Sequence, residues 1–437
     1  MKQKEIVMAC ICDYASQMRG KGYWTDKPDK ALAGGVGLAP TNLMITTFGD
    51  ILNTPWGAKG DLLMVPDMQT KVTLDLDTEK SREHFVLCDL KNLDGSAWEC
   101  CPRDWLKRGL QKLQDEFGLS LKSAFEHEFH YSGANKKLGN AYGLDAMRLQ
   151  GEFAHTLMNA LEANGVAPEM FMPEYGEQQY EATCNASIGI ESADRAIKLR
   201  EITRSVARHF GEKATFSPIM QMGKVGNGVH LHYSLVDQNG NSQSYDPTKL
   251  HSMTNQMASF TAGILQTMPE FIALTASSVV SYDRLKPNRW SATYNNIANK
   301  NREASIRICP LPTIDDIDPY KRFNLEFRPA DASANPYMVL GALVWSGIDG
   351  LKKNLKLPTL TEDNPEALSI DQQKALGVVR LPQSLDEALK KLEQSQLMKS
   401  SMGDLFHKAY IMHKKSELAL LKGLNDDEVV SRYAQCY

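Results

Sequence analysis

The sequence predicts an α+β protein of more than one domain, and three observations predict it. Short strand-like runs crowd the first hundred residues, a periodic helix opens at Pro102, and strands then alternate with helices. At 437 residues the chain is too long for one ordinary core and suits two or three domains. A boundary near Cys101 divides it into residues 1–101 and 102–437.

The N-terminal runs are residues 5–12, 61–65, 71–75 and 84–89, with a loop-forming, glycine-rich stretch at 34–40. In Pro102–Phe117, Trp105, Leu106, Leu110, Leu113 and Phe117 recur at helical spacing, and Gly118 stops the run. Residues 144–164, 193–210, 246–267 and 338–351 also read as helices, the last just after Pro336. A proline-rich stretch, 355–365, precedes a Lys- and Glu-rich helical tail.

Composition excludes several classes. A formal net charge of −4 gives no pull toward nucleic acid or an anionic membrane surface. The longest apolar run, 338–345, is far too short to span a bilayer. The first residues lack the apolar core of a signal peptide. None of the eight cysteines forms a C-x-x-C pair, and a reducing, cytoplasmic setting is expected.

Three strand-like segments share an unusual pattern, because side chains two apart on a strand point the same way. Glu126 and Glu128 share a face opposite Phe125 and Phe129. His230, His232 and Ser234 oppose Val229, Leu231 and Leu235, and Glu326 and Arg328 oppose Leu325 and Phe327. A merely solvated face rarely selects metal-ligand types so heavily. Around the turn at Gly176, Glu174 and Glu181 add carboxylates. Together, Glu126, Glu128, Glu174, Glu181, Glu326 and His230 form a hard, oxygen-rich set suited to Mg²⁺ or Mn²⁺. So many converging carboxylates repel unless cations neutralise them, which favours more than one ion. Arg284, Arg302, Arg307, Lys321 and Arg328 supply the cations that phosphate and carboxylate recognition needs. The combination points to phosphoryl transfer onto an acidic substrate. No G-x-x-x-x-G-K-[ST] motif or kinase-like catalytic loop is present.

The segments 125–129, 174–181, 226–235, 301–307 and 326–337 occur in the order of, and resemble, the motifs of the glutamine synthetase superfamily. The likeness runs from about Asp13 to the C-terminus. It implies an N-terminal β-grasp domain and a catalytic domain whose open antiparallel barrel is lined by metal ligands. It also implies a homo-oligomer, usually a dodecamer, with each active site between subunits. By motif match, Glu128, Glu174 and Glu181 would hold the ion facing glutamate, and Glu126, His230 and Glu326 the ion facing ATP. Gly226 and His232 would contact glutamate and the transferring phosphoryl group. Arg284 and Arg328 would bind the glutamate carboxylates, Arg302 and Arg307 the acyl-phosphate charge, and Lys321 and Ser234 would lie toward ATP. Two or three Mg²⁺ or Mn²⁺ ions per site are implied.

One departure bears on the substrate. Ammonia-using relatives carry a Glu on a flap that closes the ammonium pocket; here Trp290 stands at that position. An indole takes no proton but offers an apolar or cation–π wall to a larger amine. The Asp-Gly-Ser-Ser that supplies a neighbour's Asp is absent, and Phe48-Gly49-Asp50 is the nearest match. The region near Leu381-Pro382 has no tyrosine, which argues against control by adenylylation. The expectation is an ATP-dependent glutamate–amine ligase forming a γ-glutamyl amide from an alkyl, aryl or polyamine. The alternatives are glutamine synthetase itself, using ammonia, and a non-catalytic structural or regulatory relative.

Overall fold

A computed structural model describes residues 4–77, 82–134, 140–312, 314 and 317–437. Six strands form an N-terminal sheet: β1 (Glu5–Cys12), β2 (Met18–Thr25), β3 (Val36–Leu38), β4 (Leu62–Pro66), β5 (Val72–Leu74) and β6 (Glu83–Lys91). Their order is β2-β1-β6-β4-β3, with β5 also on β6. The four expected runs became β1, β4, β5 and β6. The sequence of β2, Met-Arg-Gly-Lys-Gly-Tyr-Trp-Thr, buries no face and gives no periodic signal. It forms because β1 offers it an unbroken ladder, from Glu5 opposite Thr25 to Cys12 opposite Met18. Within the stretch expected as a loop, Val36 and Leu38 are buried and make β3 against β4.

The second sheet contains β7 (Ser120–Tyr131), β8 (Pro168–Pro173), β9 (Gln179–Cys184), β10 (Ser187–Ile188), β11 (Ala214–Thr215), β12 (Val229–Val236), β13 (Ile297–Ala298), β14 (Ile306–Ile308) and β15 (Leu325–Phe327). Its order is β13-β14-β15-β12-β7-β9-β8, with β10 and β11 pairing to β7. Phe125, Phe129, Leu231, Leu235, Leu325 and Phe327 are all essentially buried. That face packs inward, so the alternate positions are forced to the other side.

The helix Pro102–Phe117 matches its expected bounds, with proline in its first turn and Gly118 in the left-handed conformation (φ 66°) behind it. Residues 144–164 are two helices, Leu144–Leu149 and Gly151–Ala163, because Gln150 leaves helical geometry. The helix expected to start at Asp246 runs instead over Asn255–Thr275. His251 and Ser252 are left-handed, and the Thr254 hydroxyl accepts from the Met257 amide at 3.1 Å to make the N-cap. That helix packs on Pro336–Lys352. Gly263 and Gly350 meet there so closely that a Cβ on Gly263 would lie 2.2 Å from the Ser346 carbonyl oxygen. No helix among the described residues is long and apolar enough to cross a membrane.

One buried cation ties the first sheet to the rest. Arg103 donates to Asp67, Asp89 and Asp194, each at 2.8 Å, and is almost wholly enclosed. Replacing Arg103 by Leu leaves Asp67 and Asp194 without their counter-charge, while Asp89 keeps Lys107 at 2.6 Å, and should destabilise the fold by about 3–5 kcal/mol. Urea unfolding of the variant beside the parent measures this; a loss under about 1 kcal/mol would mean solvent already screens these acids.

Candidate active site

Strand register assembles the site. β7 and β12 place Glu126 opposite His230, and β7 and β9 place Glu128 opposite Glu181. β12 and β15 oppose His232 to Glu326, and β14 and β15 oppose Arg307 to Glu326. These side chains line a cavity of about 560 Å³ together with Glu174, Gly226, Arg284, Trp290, Arg302 and Arg328. Residues far apart in sequence, expected from strand pattern or from the family resemblance, therefore meet.

Three groups bring ligand atoms within 4.8 Å of one another: Glu128, Glu174 and Glu181; Glu126, Glu181 and His230; and His232, Cys309 and Glu326. The first is the trio expected to face glutamate. In the second, Glu181 takes the place expected of Glu326. Glu326 is instead engaged by guanidinium groups, with Arg307 Nη1 at 3.2 Å and Arg328 Nη1 closer still. It remains 3.4 Å from His230 Nδ1, so it borders the second group as well as the third.

Without cations these carboxylates carry the cost of their own crowding. Burial, reinforced by Glu174, pushes Glu128 up to about 7, although the Gly228 amide donates to it at 2.8 Å. Burial and the charges of Glu126, Glu128 and Glu174 push Glu181 up too. Glu326 behaves oppositely. Burial disfavours its charge, but the cations beside it, Arg328, His232 and Arg307, hold it well below the usual carboxylate range. Burial, then Arg328, keeps His230 neutral, the state a metal ligand requires. Hard donors that repel when bare and include a neutral imidazole fit divalent cations.

The arginines are fixed before any anion arrives. Arg284 donates to the carbonyls of Pro329 and Ala330 at 2.6 and 2.9 Å, and Arg328 donates to the Trp290 carbonyl at 2.9 Å. The Nε atoms of Arg284, Arg307 and Arg328 are buried without a hydrogen-bond partner. Such donors are costly unless something accepts from them. Gly226 is pressed into this corner: a Cβ there would lie 2.3 Å from the Pro218 carbonyl oxygen and 2.8 Å from Arg284 Cγ. Its carbonyl accepts from Gln179, which also donates to Glu128 at 3.1 Å.

Three expected residues lie elsewhere. The Lys321 side chain is 82% exposed, 3.9 Å from Asp318, and does not line the cavity. Ser234 shares the His230 face of β12 but sits two residues beyond His232, outside the lining. Asp50 is exposed in a turn closed by the Thr46 amide donating to its carbonyl at 2.9 Å, also outside this cavity. Sequence patterns also missed lining residues: Tyr142, which donates to Glu174 at 3.0 Å, and Met170, Met172, Tyr175, Lys224 and Arg289. Cys309, 3.5 Å from His232 Nδ1, was missed as well. All of these reach the site through loops and long-range pairing, where no local periodicity marks them.

Hard-donor carboxylates beside preset guanidinium groups define an enzyme that manages phosphate and carboxylate charge in one cavity. Residues 99–433 match the glutamine synthetase catalytic domain family. The chain is 30% identical to the gamma-glutamylpolyamine synthetase GlnA3 of Streptomyces coelicolor, over 99% of this chain and 93% of that one. It is 31% identical to the glutamine synthetase of Methanococcus maripaludis, over 82% of this chain and 80% of that one. Among solved structures it resembles a novel glutamine synthase homolog, with TM-score 0.92 and 35% identity over 100% of this chain and 99% of that one. A GmaS/ADP complex shares the fold, with TM-score 0.81 at 21% identity over 98% and 96% of the two chains. The chain belongs to the glutamine synthetase family and is an ATP-dependent ligase. The family acts on small-molecule substrates with ATP and divalent metals and is generally oligomeric.

The raised carboxylates set a pH dependence. Glu128 rises in the folded, cation-free chain from 4.5 to about 7, so its stabilising contribution is full below about pH 4.5 and is lost as pH climbs toward 7. Cations displace those protons, so the melting-temperature gain from Mg²⁺ should grow from about pH 5 to pH 8. Replacing Glu181 by Gln should remove most of that gain. Equal gains at both pH values in the parent chain would count against these carboxylates as the ligands.

Proposed function

We propose that the protein joins the γ-carboxylate of glutamate to a primary organic amine, through γ-glutamyl phosphate, with ATP converted to ADP and phosphate. The observation that carries this reading is Trp290 in the cavity wall, where the family resemblance expects the carboxylate of an ammonia pocket. Similarity to a gamma-glutamylpolyamine synthetase supports it.

Glu128, Glu174 and Glu181 would hold the Mg²⁺ or Mn²⁺ facing glutamate, and Glu126, His230 and Glu326 the one facing ATP. Bound cations would supply charge neutralisation for phosphate and carboxylate alike. Arg284 and Arg328 receive the glutamate carboxylates beside Gly226. A γ-carboxylate oxygen attacks the γ-phosphorus as the bond to the ADP oxygen breaks, while Arg302, Arg307 and His232 face the charge that moves. The amine nitrogen then attacks the acyl carbon and phosphate leaves. The attacking nitrogen must shed a proton, and Asp50 of a neighbouring copy is the residue we assign to take it. Ser234 and Lys321 remain on the ATP side of this reading, reached only if ATP extends beyond the cavity. The assembly we infer is a ring-shaped homo-oligomer, a dodecamer by resemblance, built from an N-terminal β-grasp unit (1–101) and a catalytic unit (102–437). The eight free cysteines suit a reducing cytoplasm.

Phosphate release from ATP, Mg²⁺ and glutamate is the test, across ammonia, methylamine, butylamine and aniline. Organic amines should turn over well above ammonia. Trp290→Glu should shift the ratio of ammonia to butylamine turnover about tenfold or more toward ammonia. Best turnover with ammonia in the parent chain would leave an unusual glutamine synthetase.

A further inference from the structure

Two segments form the rim of the cavity. Gly223 and Lys224 in the loop 221–226, and Asn288 and Trp290 in the flap 286–291, line the cavity and are exposed. The flap does not hold itself in place. Asn288 and Trp290 are left-handed, at φ 61° and 53°, which costs non-glycine residues energy.

One carboxylate behind the rim fastens both segments. Asp283 lies in the short helix Ser281–Arg284, is 5% exposed and does not line the cavity. Its Oδ2 accepts from the Gly223 amide and from Arg289 Nη1, both at 3.3 Å, and its Oδ1 accepts from Lys286. Arg289 Nη1 also donates to the Lys224 carbonyl at 3.1 Å, so flap and loop are joined both through Asp283 and directly. Burial disfavours the charge of Asp283, but Lys286, the Gly223 amide and Arg289 hold it below the usual carboxylate range. An ion pair open to water would be weak, and this one is less screened because its acid is enclosed.

We propose that Asp283 is a positioning residue that clasps the flap to the 221–226 loop and so keeps water from the acyl phosphate until an amine takes it. This rests on the acyl-phosphate reading above. If water attacked the acyl carbon instead, its oxygen would form the new bond and the bond to the phosphate oxygen would break. Glutamate and phosphate would then be the products, and ATP would be spent with no amide made. A closed rim suppresses that side reaction, and Asp283 closes it without touching the reacting atoms.

Hydroxylamine is the probe, a small amine unprotonated at neutral pH whose nitrogen displaces phosphate to give γ-glutamyl hydroxamate. Two rates are compared with ATP, Mg²⁺ and glutamate: phosphate release with no amine present, and hydroxamate formation at saturating hydroxylamine. Asp283→Asn should raise the ratio of the first to the second about tenfold. A loss of stability alone would lower both rates together and leave their ratio unchanged. Arg289→Gln should act the same way and covers a failure of the first variant to fold. Because the two residues share one link, the double variant should match the stronger single variant within about twofold. An unchanged ratio in either variant, or effects that multiply in the double variant, would overturn the inference and leave the ligase reading intact. No hydroxamate from the parent chain would overturn the glutamate-activating reading, and the clasp with it.

Discussion

Four carboxylates held on one side of a sheet, with Glu174 on the turn after β8 beside them, repel one another, and the molecule is organised around keeping them there. What holds them is on the opposite side. Phe125 and Phe129 on β7, Leu231 and Leu235 on β12, and Leu325 and Phe327 on β15 are buried. A slip of one residue in any of these strands would turn its apolar set outward and its charged set into the core. Each buried side chain of this kind contributes about 1.5–3 kcal/mol, and together they outweigh the repulsion on the wet face. Register here is fixed by hydrocarbon and exploited by charge.

The second constraint is that the counter-charges divide the acids into two populations. Glu326 is gripped by Arg307 and Arg328 and stays ionised, whereas burial and their neighbours push Glu128 and Glu181 toward protonation. One end of the cavity is electrostatically complete in the bare chain, and the other is complete only with cations. Arginines already paired to a carboxylate and to backbone carbonyls need little reorganisation when an anion arrives, which is the arrangement that lowers a charged transition state.

Much of this was legible in the sequence because it follows short periods. The two-residue alternation in 125–129, 229–235 and 325–328 named the wet face, and the register then matched His230 to Glu126 and Glu326 to His232. The helix Pro102–Phe117 announced both ends through proline and glycine. What failed to show lacked such a period. The β2 strand buries no face and exists through its neighbour. The turn at 246–253 is polar enough to continue a helical pattern, yet left-handed His251 and Ser252 interrupt it, and Thr254 caps the true start. Tyr142, Met170 and Cys309 join the site only through tertiary folding. Lys321 and Ser234 sit near the motifs in sequence but outside the cavity, since motif proximity fixes a residue's strand or helix and not its distance from the reacting atoms.

At Trp290 the backbone and the side chain meet different surroundings. The backbone of Trp290 does structural duty: its amide donates to Glu303 at 3.1 Å and its carbonyl receives Arg328. Trp290 and Asn288 are left-handed, at φ 53° and 61°, so the segment is held in a conformation that costs non-glycine residues energy. The side chain itself is largely exposed in the cavity mouth. Arg328 is thus anchored by an atom that every amino acid possesses, and the indole can be exchanged without releasing the arginine that grips Glu326. On the proposed reading, acid activation and amine choice would share this residue and use different parts of it. Substitution at the side chain would then change which amine is admitted, while Arg307, Glu326 and Arg328 stay where the sheet has placed them.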